Sequence, residues 1–89
     1  MEYIAIIHKD RGSDFGVSFP DFPGCITAGR TLDEAKAMAA EALFGHMEEM
    51  RAAGEAVPEP SSLDDVISDP DFRDALAFMV IEARETVAS

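Results

Sequence analysis

The twelve residues SFPDFPGCITAG, Ser18 to Gly29, hold two Phe-Pro pairs, one acid, a Pro-Gly and the single cysteine of the chain. Each proline fixes its own φ at about −65° and forces the residue before it, Phe19 or Phe22, into an extended conformation, which excludes helix here. Pro23-Gly24 suits the two central positions of a type II turn, with glycine where φ must be positive. Asp21, between the prolines, is placed to cap that bend with its carboxylate. The stretch therefore predicts a strand ending at Phe19, a stiff corner built on Pro20, Pro23 and Gly24, and a second strand starting at Cys25.

Upstream, EYIAIIHK (residues 2–9) puts Tyr3, Ala5 and Ile7 on one face of a strand and Ile4 and Ile6 on the other. Both faces are apolar, so the strand is expected to be covered on both sides. DRGSD turns the chain into FGVSF, where Phe15, Val17 and Phe19 alternate with Gly16 and Ser18. The pair reads as a hairpin. Downstream, the period switches: Thr31 followed by Glu34 matches a capping box, and Gly54 is a helix stop. Leu32, Ala35, Ala39, Leu43, Met47 and Met50 form one stripe between them. Phe44 lies off that stripe, either a satellite of the core or a contact for another chain. EAVPEPSS is a polar linker, SLDDVISD a short acidic helix opened by Ser61 or Ser62, and a further turn begins at Pro70. LAFMVIEA, residues 76–83, is a second apolar run and reads as the last strand. The expected fold is α+β in the order β-β-β-α-(short α)-β: strands near 2–9, 15–19, 25–29 and 76–83, and a main helix near 32–53. The small, antiparallel-dominated sheet carries that helix on one face, in one domain over residues 1–89.

A chain of 89 residues buries only about 60 to 65% of its unfolded surface, so it builds one small core. One cysteine forms no internal disulfide, and Cys25 reads as a reduced, strand-borne hydrophobe of a cytoplasmic protein. The first residues lack a basic signal-peptide start, and the longest apolar runs fall short of a membrane span. Charge is the strongest compositional fact. Seven basic against eighteen acidic residues give a net charge of −11, which argues against direct contact with a phosphate backbone. Residues 1–40 carry six acids and four bases, residues 41–89 twelve acids and three bases. An acidic half of this kind is a solvated face or an attractor for a basic partner.

Signs of catalysis are sparse. His46 falls on the apolar side of the main helix and reads as a packed residue. No cofactor is indicated, because metal-ligand spacings and phosphate loops are absent. Asp10, Asp14 and Asp21 could assemble a two-metal carboxylate site across the sheet, although nothing in their spacing demands it.

With these elements placed, DFGVSFPDFPGCITAGRTLDEAKAMAAEALFGHMEEMRAAGEAVPEPSS resembles the core of the HicB family of type II antitoxins. The resemblance runs from residue 2 to about 82. It rests on an aromatic-Gly-Val strand, the Phe-Pro-Asp-x-Pro-Gly-Cys corner, the Thr-x-x-Glu-Ala helix start, Ala-Leu with His three residues on, and the Gly-Glu-x-x-Pro-x-Pro-Ser exit. It implies a partial ribonuclease-H-like domain without catalysis of its own. Such a domain binds a small HicA-type toxin, an mRNA-cleaving nuclease with one catalytic histidine. The rigid corner, with Asp21 and Phe22, then becomes a binding loop that loses little entropy on docking. The exposed ring of Phe44 and the acids Glu48, Glu49, Glu55, Glu59, Asp64 and Asp65 become candidates for contact with the toxin. Family members that repress their own operon usually carry a ribbon-helix-helix or helix-turn-helix segment after the last strand. No such reader follows the last strand before Ser89, so the expectation is either a single-domain member that neutralises a toxin without binding DNA or the N-terminal domain of a longer protein.

Two other classes stay open on the residues alone. One is a degenerate ribonuclease-H-like enzyme holding Mg²⁺ with Asp14, Asp21 or Glu41; the other is a homo-oligomeric scaffold with no toxin partner. A homodimer or higher oligomer is expected in any case, because both terminal strands are apolar on two faces, more than one helix covers.

Overall fold

A computed structural model describes residues 1–9 and 11–83. Four strands, β1 (Glu2–Lys9), β2 (Phe15–Ser18), β3 (Ile26–Gly29) and β4 (Ala77–Glu82), form one sheet in the order β3-β2-β1-β4. Every neighbouring pair is antiparallel. The fold class is the α+β arrangement that the periodicities predict. β2 and β3 are each one residue shorter at the corner than expected, and Leu76 precedes β4.

The register sorts the side chains into two layers. Tyr3, Ala5, Ile7, Val17 and Ile81 face the long helix α1 (Leu32–Ala52) and form the main core with Ala35, Ala39, Leu43 and Met47. Ile4 and Ile6 face the other way, against Val66 of the short helix α2 (Leu63–Ser68), flanked by Phe72 and Ala75. The reason for expecting oligomers thus needs correction at β1: the second apolar face of that strand is covered within the chain, by α2 and the 3₁₀ turn Pro70–Phe72. On the same face β4 keeps Phe78 and Val80 partly in the open.

α1 is bounded as its sequence dictates. Thr31 caps it, its hydroxyl accepting the Glu34 N–H at 3.0 Å, while the Glu34 carboxylate reaches back to the Arg30 N–H at 3.3 Å. At the other end Gly54, at φ 75°, lets Gly54 N–H donate to Arg51 O and Glu55 N–H to Met50 O. That double closure is a Schellman motif. The predicted stripe is buried from Ala35 to Met47, but Leu32 is 46% exposed. Leu32 lies in the first turn, N-terminal to the point where the helix first meets the sheet. That point is the contact of Ala35 with Gly29: a Cβ on Gly29 would lie 2.4 Å from the Ala35 nitrogen.

At the corner the chain makes two turns in succession. Phe22 N–H donates to Phe19 O at 3.1 Å and Cys25 N–H to Phe22 O at 3.0 Å. Pro20 and Pro23 each take the second position of a turn, and Gly24 has the φ of 89° that a type II turn demands. One residue in three then points inward: Phe19, Phe22 and Cys25 are all buried. Phe22 packs edge-on against Tyr3 at 4.8 Å between ring centroids, and against His46 at 5.7 Å. Burial pushes the Cys25 thiol pKa up, as suits an inert core sulfur.

The Tyr3 hydroxyl crosses the core to donate to Pro58 O at 2.6 Å, pinning the linker that follows α1. Burial, and then the nearby Glu59 and Asp21 carboxylates, push the Tyr3 pKa above its ordinary value. With the folded pKa raised, the stability this group supplies is complete below about pH 10 and is lost as the pH climbs beyond it. Tyr3→Phe is expected to lower stability by about 1 kcal/mol at neutral pH by orphaning the Pro58 carbonyl. It should also flatten the alkaline decline. Urea midpoints of the two proteins on either side of about pH 10 check both effects.

Candidate functional site: an acidic rim around a rigid corner

Asp21 does not cap its own bend. Its carboxylate accepts from the backbone N–H of Ser61 at 2.9 Å and from the Ser61 hydroxyl, forty positions along the chain. The corner is therefore clamped to the linker between α1 and α2, and its shape is set by a tertiary contact as well as by its prolines. A carboxylate takes two such bonds with more strength than a neutral acceptor. Asp21→Ala is expected to cost about 1 to 2 kcal/mol, and Ser61→Ala somewhat less. In a double-mutant cycle the two losses should fall short of additive, because both remove the same contact.

The outer surface of the corner is a ridge of Pro23, Gly24 and Ile26, the last 72% exposed. A shallow, mostly apolar groove runs along it, floored by Phe19, Phe22 and Cys25 and closed at one side by Phe72. Acids flank the ridge on both layers. On the α1 side Glu49 borders a depression shared with Gly24, Cys25 and His46, and with Glu55 it borders the next one toward the helix end. On the α2 side Asp65 and Asp69 border a depression shared with Pro20, Ser61 and Phe72. A preformed apolar ridge between two acidic slopes can seat a partner that presents an apolar patch ringed by lysine or arginine, and it loses little entropy in doing so.

The structure sorts the sequence-predicted residues unequally. Pro20, Asp21, Pro23, Gly24, Glu49 and Asp65 come together around the corner, and Glu55 lies next to Glu49 at the end of α1. Glu59 lies exposed in the linker, close enough to Tyr3 for its charge to be felt there, and Asp64 is exposed in the first turn of α2. Phe22 is corrected from a contact to a core residue: at 1% exposure its ring is spent on Tyr3, Phe19 and His46. Phe44, 47% exposed, lies on the opposite flank of α1 from Glu49, about 140° around the helix, beside Glu82 and Ala83. Glu48 shares that flank and pairs with Arg51 at 3.1 Å. These two therefore stand apart from the corner. Ser61, Asp69 and Phe72 belong to the site and carried no local signal, since each reaches it through a contact distant in sequence.

The carboxylates of the alternative metal-site reading are not gathered in one place among the described residues. Among the described residues no three His, Cys, Asp or Glu side chains are placed to hold an ion. Asp14 lies in the turn before β2, Asp21 is taken up by Ser61, and Glu41 sits across α1 beside Glu82; Asp10 lies outside the described residues. No helix among those residues is long and apolar enough to cross a membrane.

What the fold and this surface define is a small acidic α+β domain with a preformed, carboxylate-flanked ridge. The chain belongs to the HicB-like antitoxins of bacterial toxin-antitoxin systems, whose family model matches residues 3–87. It resembles the crystal structure of the N-terminal domain of the antitoxin HicB from Burkholderia pseudomallei, with a TM-score of 0.80 and 29% identity over 96% of this chain and 100% of that one. A HicA3 and HicB3 toxin-antitoxin complex contains a chain equally similar, at a TM-score of 0.80 and 28% identity over 96% of this chain and all of that one. In sequence, a 14.9 kDa protein from the rep-hol intergenic region of Haemophilus phage HP1 is 39% identical over 64 residues. Those residues are 72% of this chain and 48% of the phage protein, so the chain spans about half the length of that relative.

Proposed function

We propose that this domain is an antitoxin that binds a small, basic, HicA-type mRNA-cleaving toxin in the cytoplasm and blocks its access to RNA, with no catalytic role of its own. The observation that carries the reading is the ridge at Pro23, Gly24 and Ile26 with Glu49 and Glu55 on one slope and Asp65 on the other. A nuclease that grips RNA needs a cationic surface around its active site, and this arrangement is opposite to it in charge. Membership of the antitoxin family and the likeness to a chain of a toxin-antitoxin complex support the same partner. Self-association is part of the reading, and the protein acts as a homodimer or a higher oligomer.

The test is cleavage of a defined mRNA by the HicA-type protein of the source genome. One equivalent of this chain is expected to abolish cleavage, while the chain alone, with or without Mg²⁺, leaves the RNA intact. Undiminished cleavage at several equivalents would exclude the antitoxin role, and cutting by the chain alone would make it the nuclease.

A further inference from the structure

We propose that β4 is the dimer seam: its free edge pairs antiparallel with the same edge of a second copy, joining two four-stranded sheets into one. The proposal deepens the self-association above and is independent of the toxin. Among the described residues β4 is the outermost strand on its side of the sheet. Its ladder to β1 is set by the reciprocal pair Met1 and Ala83, in which Ala83 N–H donates to Met1 O at 2.7 Å and the Met1 amino group to Ala83 O at 3.4 Å. Alternation along an antiparallel ladder then turns the N–H and C=O groups of Phe78, Val80 and Glu82 outward. Proteins usually blunt such an edge by keeping it short or by placing proline or lysine on it. The opposite edge, β3, is four residues long and is followed at once by Arg30. β4 runs six residues with neither proline nor lysine.

Both layers beside this edge also leave apolar surface uncovered. On the α2 side Leu76, Phe78 and Val80 are 57%, 36% and 52% exposed. On the α1 side Phe44 and Ala40 are exposed beside a cavity of about 340 Å³ next to the end of the strand, which the buried Met47 and Ala83 also line. An exposed apolar strip that continues through two layers across one unpaired strand marks the place where a sheet goes on.

Charge selects the occupant. Residues 75–81, ALAFMVI, are uncharged in a chain of net charge −11, so the strand offers nothing to a cationic toxin. A second copy brings the same neutral, apolar strand. A two-fold axis across the seam then holds the two Glu82 carboxylates at opposite ends, with no like charges face to face. Glu41, which borders the cavity, is carried apart from its twin in the same way.

Sedimentation at tens of micromolar should give twice the 9.6 kDa chain mass. Val80→Pro removes an outward N–H while sparing the ladder to β1, so it should yield a folded monomer that still binds toxin. Phe44→Lys should weaken the dimer tenfold or more. Hydrogen exchange on the unmodified chain gives a second reading: the Phe78 and Val80 amides should be protected at high concentration and exchange freely on dilution. A wild-type monomer would overturn self-association altogether. A dimer that survives Val80→Pro, or one whose Phe78 and Val80 amides exchange freely, would overturn the seam alone. A folded Val80→Pro monomer that also fails to bind toxin would assign the edge to the toxin. Should Val80→Pro fail to fold, the amide protection decides.

Discussion

Replacing Gly29 with alanine is expected to cost about 3 kcal/mol or more, a large part of what holds a domain of this size together. The added Cβ would sit 2.4 Å from the Ala35 nitrogen, 2.7 Å from its Cα and 2.8 Å from the Glu34 carbonyl carbon. All three are backbone atoms of the first turn of α1, so no side chain can swing aside. Relief requires the helix to lift off the sheet by about an ångström, and that loosens the contacts of Ala35, Ala39, Leu43 and Met47 together. Gly45→Ala is the control. Gly45 is an exposed helical position with nothing within 4 Å of the new Cβ, so alanine should stabilise the helix by about 0.5 to 1 kcal/mol. Urea unfolding measures both. A Gly29→Ala protein within 1 kcal/mol of wild type would mean that α1 is not seated on the sheet at this crossing.

Reversing the charge of Glu49, Glu55 and Asp65 to lysine together is expected to slow association with the toxin about tenfold at low salt. Dissociation should change far less, because rim charges act on the encounter and buried contacts on the lifetime of the complex. Near 0.5 M salt the Debye length falls to about 4 Å and the difference should shrink several-fold. Glu48→Lys makes an informative companion. It makes one such reversal on the Phe44 flank of α1, away from the corner, and should alter association far less than Glu49→Lys alone. Surface plasmon resonance across a salt series separates the two. Equal slowing by Glu48→Lys would move the contact surface to the other side of the helix.

Local chemistry in the sequence carried most of the architecture. Thr31, Glu34 and Gly54 bound α1 within a residue or two, because capping is decided by neighbours three or four positions apart. The two prolines and Gly24 fix the corner for the same reason. Contacts set at long range were illegible. The bond from Asp21 to Ser61 spans forty positions, and a carboxylate between two prolines reads equally well as a cap of its own turn. Phe22 looked like an exposed tip because turns are usually solvated, yet a succession of two turns rotates every third side chain inward. Two apolar faces on β1 pointed to a second molecule, whereas Val66 of a six-residue acidic helix, with Phe72 and Ala75, covers the second face. Gly29 read as a strand terminator, and its closeness to Ala35 appears only once helix and sheet are packed. In the site, composition drew attention to the acids. It could not divide Glu49 and Asp65, which share the corner, from Glu48 and Phe44, which share the opposite flank.

The most direct test of the masking mechanism is competition on the toxin itself. A fluorescent RNA bound to toxin whose catalytic histidine has been replaced gives a high anisotropy, and the unmodified antitoxin domain is titrated into it. If the acidic slopes around the corner occupy the cationic surface that holds RNA, the anisotropy falls to that of free RNA at one domain per toxin. A ternary complex, with the domain bound and the RNA still held, would contradict it.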